Sequence, residues 1–143
     1  MPPIRLSFNK AASHYNAHAF LQAEVALRLS EKLNVISINP EVMVDLGSGT
    51  GLLSDKLIRK LPQVQLICVD FAQQSLQENS AHHKVCADAY QLPFADKSID
   101  FIASNLMMQW CQDLKSLFDE CHRVLKPSGL ILYSTFGPDT LKE

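Results

Sequence analysis

Short apolar runs and amphipathic stretches alternate along most of the chain. The apolar runs have the length of strands and lie at Val42–Leu46, Val64–Val69, Lys84–Ala87, Ile99–Ser104 and Leu130–Phe136. Between several of them, apolar residues recur with helical spacing over Leu52–Lys60, Gln73–Ser80 and Leu114–Lys126. Alternation of strands and helices is typical of a parallel sheet with helices packed on it. We therefore predict an α/β domain built in three layers.

The remaining segments fit the same single domain. The region from Phe8 to about Leu33 is predicted to be helical, and Pro40 marks the break after it because proline disfavours helical geometry at the preceding residue. The segment Asp88–Ser98 contains a proline and is predicted to be a loop. We expect one domain over residues 1–143, with residues 1–38 as a helical lid and residues 39–143 as the core.

Composition and charge exclude several classes of function. The chain is 47% hydrophobic and 20% charged, with a formal net charge of −2. This balance gives no electrostatic basis for binding nucleic acid, and no basic run suggests a membrane surface. The first residues lack the apolar core of a signal peptide, and no stretch approaches the length of a membrane span. We expect a cytoplasmic protein.

The potential metal ligands are too scattered to form a metal site. The cysteines form no C-x-x-C pair and are predicted to be reduced thiols that pack as small apolar groups: Cys68, Cys86, Cys111 and Cys121. His14 and His18 are four residues apart on a predicted helix, but neither has an acidic or cysteine partner nearby. We predict that the protein holds no metal.

A glycine cluster follows the first strand directly. Asp45 precedes Gly47-Ser48-Gly49-Thr50-Gly51, so the glycines have the spacing G-x-G-x-G. Glycine is required where φ is positive or where a ligand approaches the backbone closely. We expect a ligand to lie against bare backbone amides of this turn, near the N-terminus of the helix that it opens. A dinucleotide site has G-x-G-x-x-G instead. The spacing resembles the S-adenosylmethionine (SAM) motif, in which Asp45 faces the methionine end of the cofactor. A dinucleotide site and a structural turn are the alternatives.

Two further acidic residues follow the next two strands. Asp70 ends the second strand about twenty residues beyond the glycines, where a carboxylate can accept both ribose hydroxyl protons; it could also be a helix N-cap. Phe71 is a candidate for the adenine face or for the core. Asp88 and Ala89 follow the third strand, where a carboxylate and an amide could bind the adenine; a solvated loop carboxylate is the alternative.

Three stretches together resemble the malonyl-acyl-carrier-protein O-methyltransferases of biotin synthesis. They are the segment from Phe8 to Asn16 with its helix continuing through Leu21 and Gln22, the SAM strand and turn, and the run Ser104-Asn105-Leu106-Met107-Met108-Gln109-Trp110-Cys111. A group of mitochondrial complex I assembly proteins looks similar in the last stretch. The resemblance implies a Rossmann-like class I methyltransferase fold with a mainly parallel sheet in the order 3-2-1-4-5.

The resemblance also implies a reaction and roles for individual residues. SAM would methylate the free carboxylate of malonyl-acyl-carrier protein or malonyl-CoA, so no general base is needed. Asn105 and Leu106 would lie beside SAM, at the methionine moiety in the case of Asn105. The catalytic candidates are Tyr15 and Gln109, and the substrate candidates are Lys10 and Trp110, with core packing as the alternative for Tyr15 and Trp110.

The chain departs from this family at its C-terminal end. Family members continue beyond residue 143 with a further helix and an antiparallel hairpin, which leaves the fifth strand here as an apolar edge. Natural proteins normally cover such an edge, so either the chain is a fragment of a longer protein or a second copy covers the strand. We expect the chain to self-associate through this strand. Another small-molecule methyltransferase, of quinone type, and a SAM-binding assembly module without catalysis are the alternative functions.

Overall fold

The structure is a computed structural model that describes residues 20–136. Its helices are α1 (Phe20–Glu31), α2 (Leu52–Lys60), α3 (Gln73–Glu78) and α4 (Leu114–Val124), with short 3-10 turns at Lys32–Asn34 and Met108–Trp110. Its strands are β1 (Val42–Leu46), β2 (Gln65–Asp70), β3 (His83–Cys86), β4 (Ile99–Asn105) and β5 (Leu125–Ser134). Each predicted strand is present within a few residues, and residues 88–98 contain no helix.

The five strands form one parallel sheet in the order β3-β2-β1-β4-β5. This confirms the predicted order. Because β1 lies at the centre, between β2 and β4, their carboxyl ends come together at one edge of the sheet. The chain reverses its direction of winding at this point, which is where open α/β sheets bind ligands.

The core lies in two layers, one on each face of the sheet. Alternate residues of a strand point to opposite faces, so Met43 packs with α1 and α2, whereas Val44 packs on the face covered by α4. Helix α1 contributes buried Ala26 and Leu29 to the first layer. On the opposite face, Leu117 of α4 is completely buried.

The start of β5 is the main departure from the predicted boundaries. Helix α4 ends at Val124 rather than Lys126, and β5 begins directly at Leu125, whereas the apolar pattern predicts that it begins at Leu130. Pro127 disfavours helical geometry at Lys126. Ile99 pairs with Leu125, but Phe101 pairs with Leu130, so residues 126–129 bulge opposite Asp100. Lys126 Nζ lies 2.9 Å from the Asp100 carboxylate and fixes the bulge.

Candidate functional site

A cleft with a volume of about 230 Å³ opens at the carboxyl ends of β1, β2 and β4. Its lining is mainly apolar or uncharged, with Asp70 as the one charged side chain among the described residues. The lining residues are Gln22, Gly47, Gly49, Asp70, Phe71, Ser75, Asn105, Leu106, Met107, Gln109, Trp110, Cys111 and Phe136. The topology therefore brings the glycine turn, the acidic end of β2 and the loop after β4 to one place.

The glycine turn requires glycine for two separate reasons. Gly47 has a φ of +72° and Gly51 has a φ of +105°, both in the left-handed region that disfavours other residues. A Cβ atom on Gly47 would also lie 2.8 Å from the Cβ of Met107, which is too close for two carbon atoms. In this structure, the missing side chain of Gly47 makes room for Met107.

Most amides of this turn already have acceptors within the protein. The N–H groups of Gly47 and Ser48 both donate to the carbonyl oxygen of Val69, at 2.8 and 3.0 Å. The N–H of Gly51 donates to Ser48 at 3.1 Å. The prediction that a ligand lies against bare amides is therefore wrong for these three residues. The turn offers space and a close approach rather than hydrogen-bond donors.

Asp70 joins the turn to the cleft. Its Oδ2 accepts from the N–H of Gly49 at 2.8 Å, and its Oδ1 accepts from the N–H of Ala72 at 2.8 Å. Burial raises the pKa of Asp70, and the backbone hydrogen bonds from Ala72 and Gly49 act in the opposite direction. A carboxylate oxygen has two lone pairs, so each oxygen can accept one further donor. Two adjacent hydroxyl groups are a good match for this arrangement.

Asp45 lies beneath the turn instead of in the cleft. Its side chain is almost completely buried, and Ser54 Oγ donates to its Oδ2 at 2.6 Å. Burial is the main reason that the pKa of Asp45 is raised to about 7, with a smaller contribution from the charge of Asp70. The Cys68 thiol, whose pKa burial raises to about 12, donates to Ser54 at 3.2 Å. Asp45 therefore belongs to a buried polar group under the glycines.

The loop after β4 begins with a strained residue. Leu106 has a φ of +54°, a conformation that costs a residue with a side chain of the order of 1–3 kcal/mol. Ser134 Oγ accepts from its N–H at 3.0 Å, and its carbonyl accepts from Gln109 Nε2 at 2.6 Å. The Asn105 amide donates to the Gln22 carbonyl of α1 at 3.1 Å. These contacts hold the loop in the shape that lines the cleft.

The other predicted site residues are divided between the cleft and its surroundings. Phe71 lines the cleft, and so does Trp110, which is 47% exposed. Asp88 borders a different, more open cavity, and Ala89 packs against the core on the α4 side. Ser48 is buried within the turn. Tyr15 and Lys10 lie outside the described residues.

Several lining residues had no individual role in the sequence predictions. Met107 and Cys111 fall within the run 104–111, whose similarity to a family was the available signal; their sulfur atoms are 3.4 Å apart. Gln22 continues the first of the stretches that resemble the family, whereas Ser75 and Phe136 had no such signal, because no local pattern places them beside the glycine turn. Only the fold brings α1, α3 and the end of β5 to this edge.

The described residues show neither a metal cluster nor a membrane span. No group of three or more histidine, cysteine, aspartate or glutamate side chains in residues 20–136 could hold a metal ion. Within the same part of the chain, no helix is long and apolar enough to cross a membrane. All four cysteines are free thiols, two of them buried.

The site fits the groups that a sulfonium nucleoside presents. Asp70 can accept from a pair of ribose hydroxyls, and Phe71 offers an aromatic face beside it. The glycine turn leaves room for close approach, and Asp45 is too deeply buried to occupy the cleft. The Asn105–Cys111 loop closes the side opposite β2. The residues present are therefore compatible with SAM.

Comparison with known proteins supports the same assignment. A family model described as a methyltransferase domain matches residues 44–133. The malonyl-[acyl-carrier protein] O-methyltransferase of Methylovorus sp. (strain MP688) is 43% identical, in an alignment covering 98% of this chain and 52% of that protein. The malonyl-[acyl-carrier protein] O-methyltransferase 1 of Coxiella burnetii is 41% identical, in an alignment covering 98% of this chain and 49% of that protein. The chain thus spans about half the length of these relatives.

A solved structure agrees with the fold. A SAM-dependent methyltransferase from Archaeoglobus fulgidus superposes with a TM-score of 0.70 at 20% identity, over 82% of this chain and 54% of that one. At this identity the match bears on the fold alone, and it supports the class I arrangement that the strand order already indicates. The family model, which covers more than half of the chain, decides the family. The chain belongs to the methyltransferase domain family and has the fold of the SAM-dependent class I enzymes.

Proposed function

We propose that this chain is the SAM-binding part of a malonyl-acyl-carrier-protein O-methyltransferase acting in biotin synthesis in the cytoplasm. The observation that carries the proposal is the meeting of the glycine turn, Asp70 and the Asn105–Cys111 loop around one cleft. Similarity to relatives named for this reaction, over 98% of the chain, supports the choice of acceptor.

The cofactor would lie along the carboxyl edge of the sheet. Asp70 accepts hydrogen bonds from the ribose hydroxyls, and Phe71 packs against the adenine. Gly47 and Gly49 allow close approach of the nucleoside, and Leu106 forms the opposite wall.

The reaction requires positioning rather than acid–base chemistry. When bound, SAM supplies an electrophilic methyl group. The malonyl carboxylate has a pKa near 4 and is already ionised at neutral pH, so no residue has to remove a proton. The residues lining the cleft would align the carboxylate oxygen and exclude water. Gln109 and Trp110 border the acceptor side, and Tyr15 would complete it from the N-terminal region.

The acceptor carboxylate still needs a cationic partner. An anion is usually held by an arginine or lysine side chain. Among residues 20–136, no lysine, arginine or histidine lines the cleft. Lys10 is our candidate within this chain. The relatives are about twice as long, so the cation could equally come from a region that this chain does not include.

Transfer of a labelled methyl group tests the proposal directly. The chain is incubated with methyl-labelled SAM and malonyl-acyl-carrier protein, with acetyl-acyl-carrier protein as the matched control because it lacks the free carboxylate. We expect label on the malonyl form alone, and malonyl-CoA in place of the carrier protein reports carrier preference. Label on a quinone precursor instead would favour the quinone-type alternative. Tight binding of S-adenosylhomocysteine without any transfer would favour the assembly module.

We also propose that β5 mediates self-association. It is one of the two edge strands of the described sheet, and two of its apolar side chains, Leu130 and Tyr133, are each 42% exposed. An uncovered apolar edge is prone to pair with another chain. Size-exclusion chromatography should therefore show a concentration-dependent dimer. A monomeric elution volume at every concentration would contradict this part of the proposal.

A further inference from the structure

One side chain outside the cleft contacts two of the residues that line it. Ser134, at the end of β5, is paired in register with Asn105 at the end of β4. Its hydroxyl accepts from the N–H of Leu106 at 3.0 Å and donates to Asn105 Oδ1 at 2.8 Å. A serine hydroxyl has one donor and two acceptor positions, so a single group can make both contacts.

We infer that Ser134 is a positioning residue, which fixes the Asn105 side chain and the Leu106 backbone and thereby tethers α1 to the cleft. Only the expected effect of Ser134 on cofactor binding rests on the proposed function; its effect on the Asn105 and Leu106 contacts does not. The sequence analysis assigned no role to Ser134.

Ser134 acts first on the orientation of the Asn105 side-chain amide. Because Ser134 donates to Oδ1, the amide nitrogen of Asn105 must point the other way. There it donates to the carbonyl oxygen of Gln22 at 3.1 Å. If the Ser134 hydroxyl were absent, the amide would lose the contact that determines its orientation. The amide could then rotate, and the hydrogen bond from its nitrogen to the Gln22 carbonyl oxygen of α1 would be formed for only part of the time.

Ser134 also supports the strained backbone of Leu106. Its φ of +54° persists only if the surrounding contacts favour it. The N–H is held by Ser134, through both the hydroxyl and the main-chain oxygen at 3.1 Å, and the carbonyl is held by Gln109. Thr135 Oγ1 in turn contacts Gln109 Oε1 at 3.4 Å. The last residue of β5 and the residue that follows it therefore support both sides of the strained peptide.

The tether matters for the cleft because Gln22 is itself a lining residue. Through Asn105, Ser134 connects three elements that are distant in sequence: β5, β4 and α1. A change at Ser134 should therefore loosen both the Leu106 loop and the first turns of α1, although it touches no bound ligand. Elements on the other face of the sheet, such as α4, should not respond.

Hydrogen exchange on the ligand-free chain tests the tether. We compare Ser134→Ala with Ser134→Thr, which keeps the hydroxyl, and with Ser98→Ala as a matched control. Ser98 also loses a hydroxyl hydrogen bond, to Ala95 at 2.7 Å, but at the opposite end of β4. Loss of one net hydrogen bond should speed exchange in residues 20–26 and 105–109 of Ser134→Ala by about three- to tenfold, with α4 unchanged. The threonine and Ser98 variants should match the original chain.

Affinity for S-adenosylhomocysteine, measured by calorimetry, provides the second readout. We expect Ser134→Ala to weaken binding by about three- to tenfold and Ser134→Thr to restore it. Unchanged exchange in both segments of Ser134→Ala would overturn the inference, and so would a uniform rise that includes α4. If the unaltered chain does not bind the ligand, the proposed function fails, but the exchange experiment still decides the role of Ser134.

Discussion

The two loops that border the cleft are held in different ways. The turn after β1 is fixed by the end of β2, the next strand in the chain. Its amides donate to Val69 and Asp70 there. The loop after β4 is fixed mainly by Ser134 at the end of β5 and by Thr135 directly after it, and it connects to α1 through Asn105. The backbone of the first loop is held by the adjacent strand, whereas the conformation of the second loop depends on contacts with segments that are distant in sequence.

We infer from this difference that the two loops have different roles in the site. The glycine turn and Asp70 form the part of the site in which hydrogen bonds to the adjacent strand restrict the backbone. The loop after β4 carries the half-exposed Trp110 and the strained Leu106 on the side where an acceptor would enter. Functional loops on a rigid scaffold commonly have this character. Substitutions in the two regions should therefore have different consequences.

The largest effect is expected from the buried acid beneath the glycine turn, at Asp45. Burial raises its pKa from 3.8 to about 7 in the folded chain. The folded state thus binds the proton more tightly than the unfolded state. The resulting stabilisation is complete below pH 3.8, decreases as the pH rises and is lost above about pH 7.

Asp45→Asn should remove this dependence while keeping an acceptor for Ser54. The free energy of unfolding of the variant relative to the original chain should rise between pH 4 and pH 8 by about 2–4 kcal/mol. Denaturant titrations at several pH values measure the difference. A constant difference across this range would show that Asp45 is ionised and well solvated, and the turn would then be less rigidly buried than its contacts indicate.

The second largest effect is expected at Asp70. Asp70→Ala removes the proposed ribose acceptor and should weaken S-adenosylhomocysteine binding by roughly ten- to a hundredfold. It also removes the acceptor for the N–H groups of Gly49 and Ala72, so some loss of stability is expected. Asp70→Asn keeps one acceptor oxygen and is the matched control for the structural part. Equal calorimetric affinity in all three proteins would refute the role of Asp70.

The third prediction concerns contact between the two loops. Gly47→Ala places a side chain at a φ of +72° and against Met107, and should destabilise the fold by about 1–3 kcal/mol. Adding Met107→Ala removes the collision but leaves the backbone strain, so it should recover only part of the loss. Thermal unfolding of the single and double variants measures this. Full recovery would mean that the collision alone makes glycine necessary.

The smallest effect is expected where the second loop enters α4. Asp113 caps this helix: its Oδ1 accepts from the N–H of Ser116 at 3.1 Å. Asp113→Ala should lower Tm by about 4 °C without changing affinity for S-adenosylhomocysteine. A loss of affinity as large as that expected for Ser134→Ala would show that the loop is positioned from α4 as well as from β5.

Local patterns predicted the architecture well. Strands β1 to β5 and their order follow from alternating apolar runs and from the family resemblance, because a buried parallel strand needs a continuous apolar segment. The glycine turn was recognisable because positive φ values restrict the residue type at Gly47 and Gly51. Asp70 was placed correctly at the end of β2. The boundary between α4 and β5 was wrong because a bulge depends on the pairing partner, here Asp100.

The placement of individual side chains was less predictable. Asp45 follows the expected motif, but strand alternation and Ser54 direct it beneath the turn. The amides of the turn were expected to be free, yet the adjacent strand supplies their acceptors. Asp88 and Ala89 come after the third strand as expected, but the structure places them outside the main cleft. Each outcome depends on a partner far away in sequence.

The amino-acid pattern alone is enough to predict the periodicity of the elements, the left-handed glycine positions and the acidic residue at the end of β2, because these depend on the chemistry of neighbouring residues. Which donors and acceptors are already paired within the protein depends on the folded arrangement. That arrangement also decides that Ser134, Asn105 and Gln22 meet at one edge. The physical reason is that hydrogen bonding is satisfied through space, and spatial neighbours in a parallel sheet are separated by whole crossovers of the chain.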